Sequence, residues 1–223
     1  MNVDFSVISD NLDYMAGGLC LTFEIALMAI GGGLVWGLVL GLGRLSSNRL
    51  IYYAASLYVH FFRGIPLILV IFWIYFLLPV IVGKSLGELP AVVFSFILYE
   101  ASYFAEIVRS GIQSVSREQR CAGLATGLRP GQLARHIILP QALRNMLPSL
   151  VNHIVVVFQD TSLAYVIGLR EFLRRVNLVD AREARSIELY LFAGMVYFIF
   201  CSIGTFAGHR LEIRFRAKGS FHD

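Results

Sequence analysis

Long apolar runs with almost no charge recur along this chain, and no other feature limits its possible folds as strongly. A run of about 18 or more such residues is long enough to cross the hydrocarbon layer as a helix. Lipid offers no hydrogen-bond partners to a backbone, so a helix, which pairs its own amides, is the form such a run takes. Five spans are predicted, over residues 16–43, 66–82, 90–108, 148–168 and 189–208. The expected fold class is an all-α integral membrane protein with five transmembrane helices in one domain, 1–223. Composition agrees. Only 15% of residues are charged and 57% are hydrophobic, where soluble domains carry about 25% charged residues.

The net charge of +4 does not read as a nucleic-acid footprint, because the basic residues crowd the ends of the apolar runs. That placement is a topology signal. Thirteen of the 19 lysines and arginines fall on one side of the five spans and six on the other, which puts the N-terminus outside and the C-terminus in the cytoplasm. Five of those six are arginines of residues 169–188, interleaved with Glu171, Asp180, Glu183 and Glu188. The first fifteen residues carry Asp4, Asp10 and Asp13 and no basic residue, the wrong sign for a secretory signal. Cys20 and Cys201 lie in apolar runs and Cys121 in a basic loop, a distribution that suggests neither a disulfide framework nor a metal cluster.

Gly33, Gly37 and Gly41 repeat every fourth residue on the first span. They form a strip of small residues where another helix can approach closely. Residues 52–82 would measure about 46 Å as one helix, more than a bilayer requires. A break is therefore expected at Arg63-Gly64-Ile65-Pro66, with the preceding segment at the cytoplasmic interface and His60 interfacial.

The loop between the third and fourth spans, 109–147, is long and regular. Residues 117–128 predict an amphipathic helix, with Cys121, Leu124, Ala125 and Leu128 at i, i+3, i+4 and i+7 and Gly127 near its end. Pro130 is expected to open a second short helix and Pro140 to limit it. Such a helix either lies on the lipid surface or docks its apolar stripe in a groove of another protein.

The loop resembles a known pattern. Membrane subunits of ABC importers carry Glu-Ala-Ala, three residues, Gly, nine residues, Ile-x-Leu-Pro. Here Cys121-Ala122-Gly123, Gly127 and Ile137-Ile138-Leu139-Pro140 keep that spacing. Cys121 stands for the glutamate and Gly123 for the second alanine. More of the chain is similar to the polar amino acid branch of these permeases: Arg63-Gly64-Ile65-Pro66-Leu67, the stretch from Glu106 to Ser114, Gln141-Ala142 with Arg144 and Pro148, and Asp160-Thr161-Ser162-Leu163. With Phe158 and Gln159 ahead of it, that last motif looks most like glutamate/aspartate permeases.

The resemblance implies a type I ABC importer permease (MetI-like) fold in a bacterial inner membrane. It also implies a cytoplasmic ABC ATPase dimer that binds the ATP and magnesium, a periplasmic amino-acid-binding protein, and a second permease subunit, related or identical. It marks Gln119, Arg120, Cys121, Ala122, Gly123, Leu124, Gly127, Leu128, Ile137, Leu139 and Pro140 as the segment that couples to the ATPase.

Polar groups inside spans are costly and need partners. Arg63, Asn152, Gln159, Asp160, Thr161 and Ser162 are the substrate-path candidates, with His153 a weaker one. Asp160 is equally readable as an anchor between helices. A bare carboxylate would repel acidic substrates, so Asp160 is expected either to be neutralised or to face away from the path. Glu24 is expected to reach the interface, and Glu106 to pair with Arg109 at i, i+3. Gly83-Lys84-Ser85 lacks the glycine and preceding strand of a phosphate-binding loop, so no nucleotide site is expected in the chain. The readings left open beside the importer are an ATPase-independent channel or secondary transporter and, more distantly, a membrane-embedded enzyme.

Overall fold

The computed structural model describes residues 4–217. Lys218, counted above toward the cytoplasmic side, lies outside the described residues. Among the described residues the regular structure is helical: α1 (Ser6–Asp10), α2 (Leu12–Gly43), α3 (Arg49–Arg63), α4 (Leu67–Val82), α5 (Glu88–Gln113), α6 (Arg117–Ala125), α7 (Pro130–Ile167), α8 (Phe172–Glu183) and α9 (Ser186–Ala217). Helices α2, α5, α7 and α9 are each long and apolar enough to span a bilayer, and α3 with α4 makes a fifth passage if the bent pair counts as one.

The helices outrun the apolar stretches that announced them. Helix α2 begins at Leu12 and α5 continues to Gln113, because intrahelical hydrogen bonds remain favourable after the side chains turn polar. A hydropathy edge marks the hydrocarbon boundary, not the end of the helix.

The break at Arg63-Gly64-Ile65-Pro66 is present, and the axis turns by 103° there. Gly64 still donates its N–H to the His60 carbonyl at 3.0 Å. Pro66 then takes an extended conformation, since a proline offers no N–H to continue the ladder.

Pro140 does not limit a short helix. Helix α7 runs unbroken through both Pro140 and Pro148, and Pro148 lies inside it rather than opening a span. The physical reason lies one turn back. Residues Ala134–Ile138 form a π-turn that ends two residues before Pro140, just as Trp73–Leu77 ends two residues before Pro79 in α4. Widening to i→i+5 bonding moves the carbonyl that a proline ring would otherwise strike.

The strip of small residues on α2 packs on α5. A Cβ at Gly37 would lie 2.5 Å from Phe104 Cβ and 2.9 Å from the Ala101 carbonyl, and one at Gly41 would lie 2.9 Å from the Ala105 carbonyl. Close backbone approach replaces hydrophobic drive as the cohesive term between helices in lipid. Ile25, Ala29, Leu67, Ile71, Val92, Phe96, Phe104 and Val157 fill the core around this seam.

Residues 169–188, the loop between the predicted fourth and fifth spans, contain α8. Phe172, Val176 and Val179 pack with Met15 and Leu189, and the Phe172 N–H donates to Thr22 Oγ1 at 3.1 Å. Arg175 Nη1 donates to the Tyr14 carbonyl at 2.6 Å and Arg182 to Asn11 Oδ1 at 3.1 Å. At least two of the loop's arginines thus fasten α8 to the start of α2. Helix α9 leaves Leu191, Met195, Phe198, Ile203 and Phe206 exposed, a face suited to lipid.

Candidate functional site

Helix α6 stands between the ends of α5 and α7. Ser116 caps it, its Oγ accepting from the Gln119 N–H at 3.4 Å, and Arg120 Nη2 ties it back to the Ile112 carbonyl at 2.6 Å. It ends at Ala125, three residues short of the predicted Leu128. Gly127 takes φ 81°, a left-handed conformation that halts a helix and that glycine adopts without strain.

One residue sets how α6 sits on α7. A Cβ at Gly123 would meet Leu133 Cδ1 at 2.5 Å and Ile137 Cδ1 at 2.8 Å, so Gly123 is the point of contact and a larger side chain would lift the helix away. The stripe expected from periodicity points outward. Cys121, Leu124 and Ala125 are exposed, Leu124 by 51%, and Leu128 alone is half-buried. Gln119, Ala122, Gly127, Leu139 and Pro140 are also exposed, while Arg120 and Ile137 are half-buried. The exposed Gln119, Cys121, Ala122, Leu124 and Ala125 of α6 therefore form an accessible ridge seated through Gly123, with Leu139 and Pro140 exposed on α7.

The substrate-path candidates do not form one cluster. Asn152 faces a cavity of about 230 Å³ between α7 and α9, lined also by Thr205, His209 and Glu212, and Gln159 is exposed. Thr161 is buried and donates to the Phe158 carbonyl at 2.6 Å, a bond that fits the tightening of α7 to a 3₁₀ turn over Thr161–Ile167. Ser162 is half-buried. Asp160 is half-buried and within electrostatic reach of Glu100 and His153.

That neighbourhood is the polar centre of the bundle. Glu100 on α5 has no solvent exposure, and its Oε2 lies 2.8 Å from Nε2 of His153 on α7. The His153 ring stacks on Tyr103 at 5.2 Å and meets Phe104 edge-on at 4.8 Å. Arg63 lies over the other part of this chain of contacts, 5.3 Å from the Tyr103 ring centre. Sequence reasoning passed over Glu100. The available signal was a lone carboxylate midway along one span and a lone imidazole midway along another.

Glu106 pairs with Arg109 as expected and also with Arg44, and Arg63 Nη1 lies 3.8 Å away. Three arginines from α5, the end of α2 and the end of α3 thus converge on one carboxylate. Glu24 is exposed on α2.

Comparison with known proteins agrees with this geometry. Residues 33–217 match the family described as binding-protein-dependent transport system inner membrane component. The glutamate/aspartate import permease protein GltK of Escherichia coli O157:H7 is 41% identical over 203 residues, 88% of this chain and 91% of that protein. The arginine transport system permease protein ArtQ of Bacillus subtilis is 32% identical over 218 residues, 98% of this chain and 100% of that one. A crystal structure of an amino acid ABC transporter with histidines superposes with a TM-score of 0.91 at 28% identity, covering 96% of this chain and 100% of its counterpart. The expected importer-permease fold is thereby established. This chain belongs to the binding-protein-dependent transport system inner membrane component family and is a multi-pass permease of the amino-acid ABC importers.

Proposed function

We propose that this permease imports dicarboxylic amino acids, glutamate and aspartate, across a bacterial inner membrane. In this reading the N-terminus is outside and the C-terminus cytoplasmic. A periplasmic binding protein delivers the substrate, a second permease subunit completes the path, and a cytoplasmic ATPase dimer supplies ATP hydrolysis. The chain performs no bond chemistry; it contributes a two-state bundle and a lever.

The observation that carries the mechanism is the exposed ridge of Cys121, Leu124 and Ala125 on a helix seated through Gly123 on Leu133 and Ile137. A push on α6 moves α7 directly, and α7 carries His153 and Asp160 in the bundle interior. The similarity to GltK supports the acidic substrate.

One observation favours a second reading, a cationic amino acid. Glu100 and Asp160 sit together in the interior, where carboxylates attract positive charge more strongly than in water, and one relative is an arginine transport permease.

Uptake in proteoliposomes holding the permease with its second permease subunit, its ATPase and its binding protein decides between the two. ATP-dependent accumulation of glutamate, competed by aspartate and not by arginine, is the expected result; the reverse pattern selects the cationic reading. Uptake that persists without the ATPase would instead support a channel or secondary transporter. A reporter fused to the C-terminus is expected to report the cytoplasm, and a periplasmic signal would reverse the orientation.

A further inference from the structure

A cavity of about 420 Å³ opens at the end of the bundle away from α6. Its position follows from connectivity. Glu88 opens α5, whose other end leads into α6, and Gly168 closes α7, whose other end follows α6. Three charged side chains line the cavity, Glu88, Arg170 and Arg174, against walls that include Leu21 and Leu178.

These charges do not satisfy one another. Among the described residues, Glu88 is not within ion-pair distance of either guanidinium, and the Arg170 side chain has no hydrogen-bond or ion-pair partner. Arg174 gives Nη1 to Asn177 Oδ1 at 3.1 Å and lies within electrostatic reach of Glu171, yet its Nε, closed off from solvent, finds no acceptor among the described residues. The Glu88 carboxylate leans over the turn at Gly168, where a Cβ would lie 3.7 Å from Oε1. Arg170 and Glu88, lining one cavity and each without a partner among the described residues, leave a donor fork and an acceptor free for a molecule that bears both signs.

We propose that this cavity receives a free dicarboxylic amino acid, with Arg170 and Arg174 taking its two carboxylates and Glu88 its ammonium group. Guanidinium forks match carboxylate geometry and hold their charge at any working pH. The surplus positive charge selects a dicarboxylate over a monocarboxylate. The volume equals the share of roughly fourteen waters at about 30 Å³ each, space for a glutamate and some of its hydration. The inference rests on the acidic-substrate reading and deepens it, by adding a reception site distinct from the Glu100–His153 interior.

The test is calorimetric titration of L-glutamate into the full-length permease with its ATPase, in nanodiscs of zwitterionic lipid, without binding protein. Saturable binding is expected, about tenfold weaker for Arg170→Gln and for Glu88→Gln, and about tenfold weaker again for L-glutamine on the unaltered protein. Both substituted residues are exposed, so these two variants carry the test even if Arg174→Gln, beside the start of α8, fails to fold. No binding by the unaltered protein, or binding by both variants as tight as by the unaltered protein, overturns the proposal. If glutamate uptake is normal while cavity-dependent binding is absent, this inference fails and the substrate reading stands. If L-arginine binds in place of glutamate and Glu88→Gln is the damaging change, both fail.

Discussion

Nε2 of His153 lies 2.8 Å from Oε2 of Glu100, which sits on α5 wholly closed to solvent. The pair joins α5 to α7, the two helices that bracket α6. Removing His153 leaves the Glu100 carboxyl buried with no partner, which costs more than replacing that carboxyl by a neutral amide. His153→Leu is therefore expected to lower the thermal stability of the purified permease by more than Glu100→Gln, which leaves an uncharged amide. Unfolding of His153→Leu that coincides with the unaltered protein would show that the contact carries no such energy.

Gly37 and Gly31 offer a matched comparison on one helix. A Cβ at Gly37 meets Phe104 and the Ala101 backbone, whereas one at Gly31 meets nothing within 4 Å. Gly37→Val is expected to open the α2–α5 seam at a cost of about 1–3 kcal/mol. Gly31→Ala should be neutral or slightly stabilising through its higher helix propensity. Melting curves in detergent check both, and equal melting temperatures would remove the seam from the account.

Leu124 and Gly123 separate docking from seating. Leu124→Arg changes an exposed position and is expected to leave folding intact while abolishing recovery of the ATPase on pull-down. Gly123→Val is expected to displace α6 from Leu133 and Ile137, so that the ATPase still binds but ATP hydrolysis no longer drives uptake. Full recovery of the ATPase by Leu124→Arg would remove the ridge as the docking surface.

Asp160→Leu is expected to impair transport while the permease still assembles with its ATPase. Loss of assembly would make Asp160 an anchor between helices instead.

The N-cap of α8 supplies a pH dependence. Glu171 has no solvent exposure and accepts from the N–H groups of Leu173 and Arg174 at 2.8 and 2.7 Å. Burial pushes its carboxyl up from 4.5 to about 7, against the pull of those two bonds. A raised carboxyl favours the protonated folded form. Its contribution is complete below the ordinary value of 4.5 and is lost as pH rises through about 7. The full effect is about 3 kcal/mol. Glu171→Gln is expected to shift stability by a constant offset and to flatten its fall between about pH 5 and pH 8. An unchanged slope in the variant would show that Glu171 does not titrate in this window.

The residues themselves determined the class of fold, because bilayer thickness translates directly into the length of an apolar run. The break before Pro66, the close-approach strip at Gly33, Gly37 and Gly41, and the outward stripe of α6 were legible for the same reason: each follows from local geometry and a repeat along one helix. Tertiary structure alone decided the rest. That α7 passes Pro140 by way of a π-turn at Ala134–Ile138 is visible only in the folded backbone. That Glu100 finds His153, 53 positions along the chain, and that Arg63 and Arg44 join Arg109 on Glu106, depends on which helix faces meet. A sequence states the cost of each buried charge, but its partner is fixed only when distant helices come within a few ångströms, where pairing in a low dielectric offsets that cost.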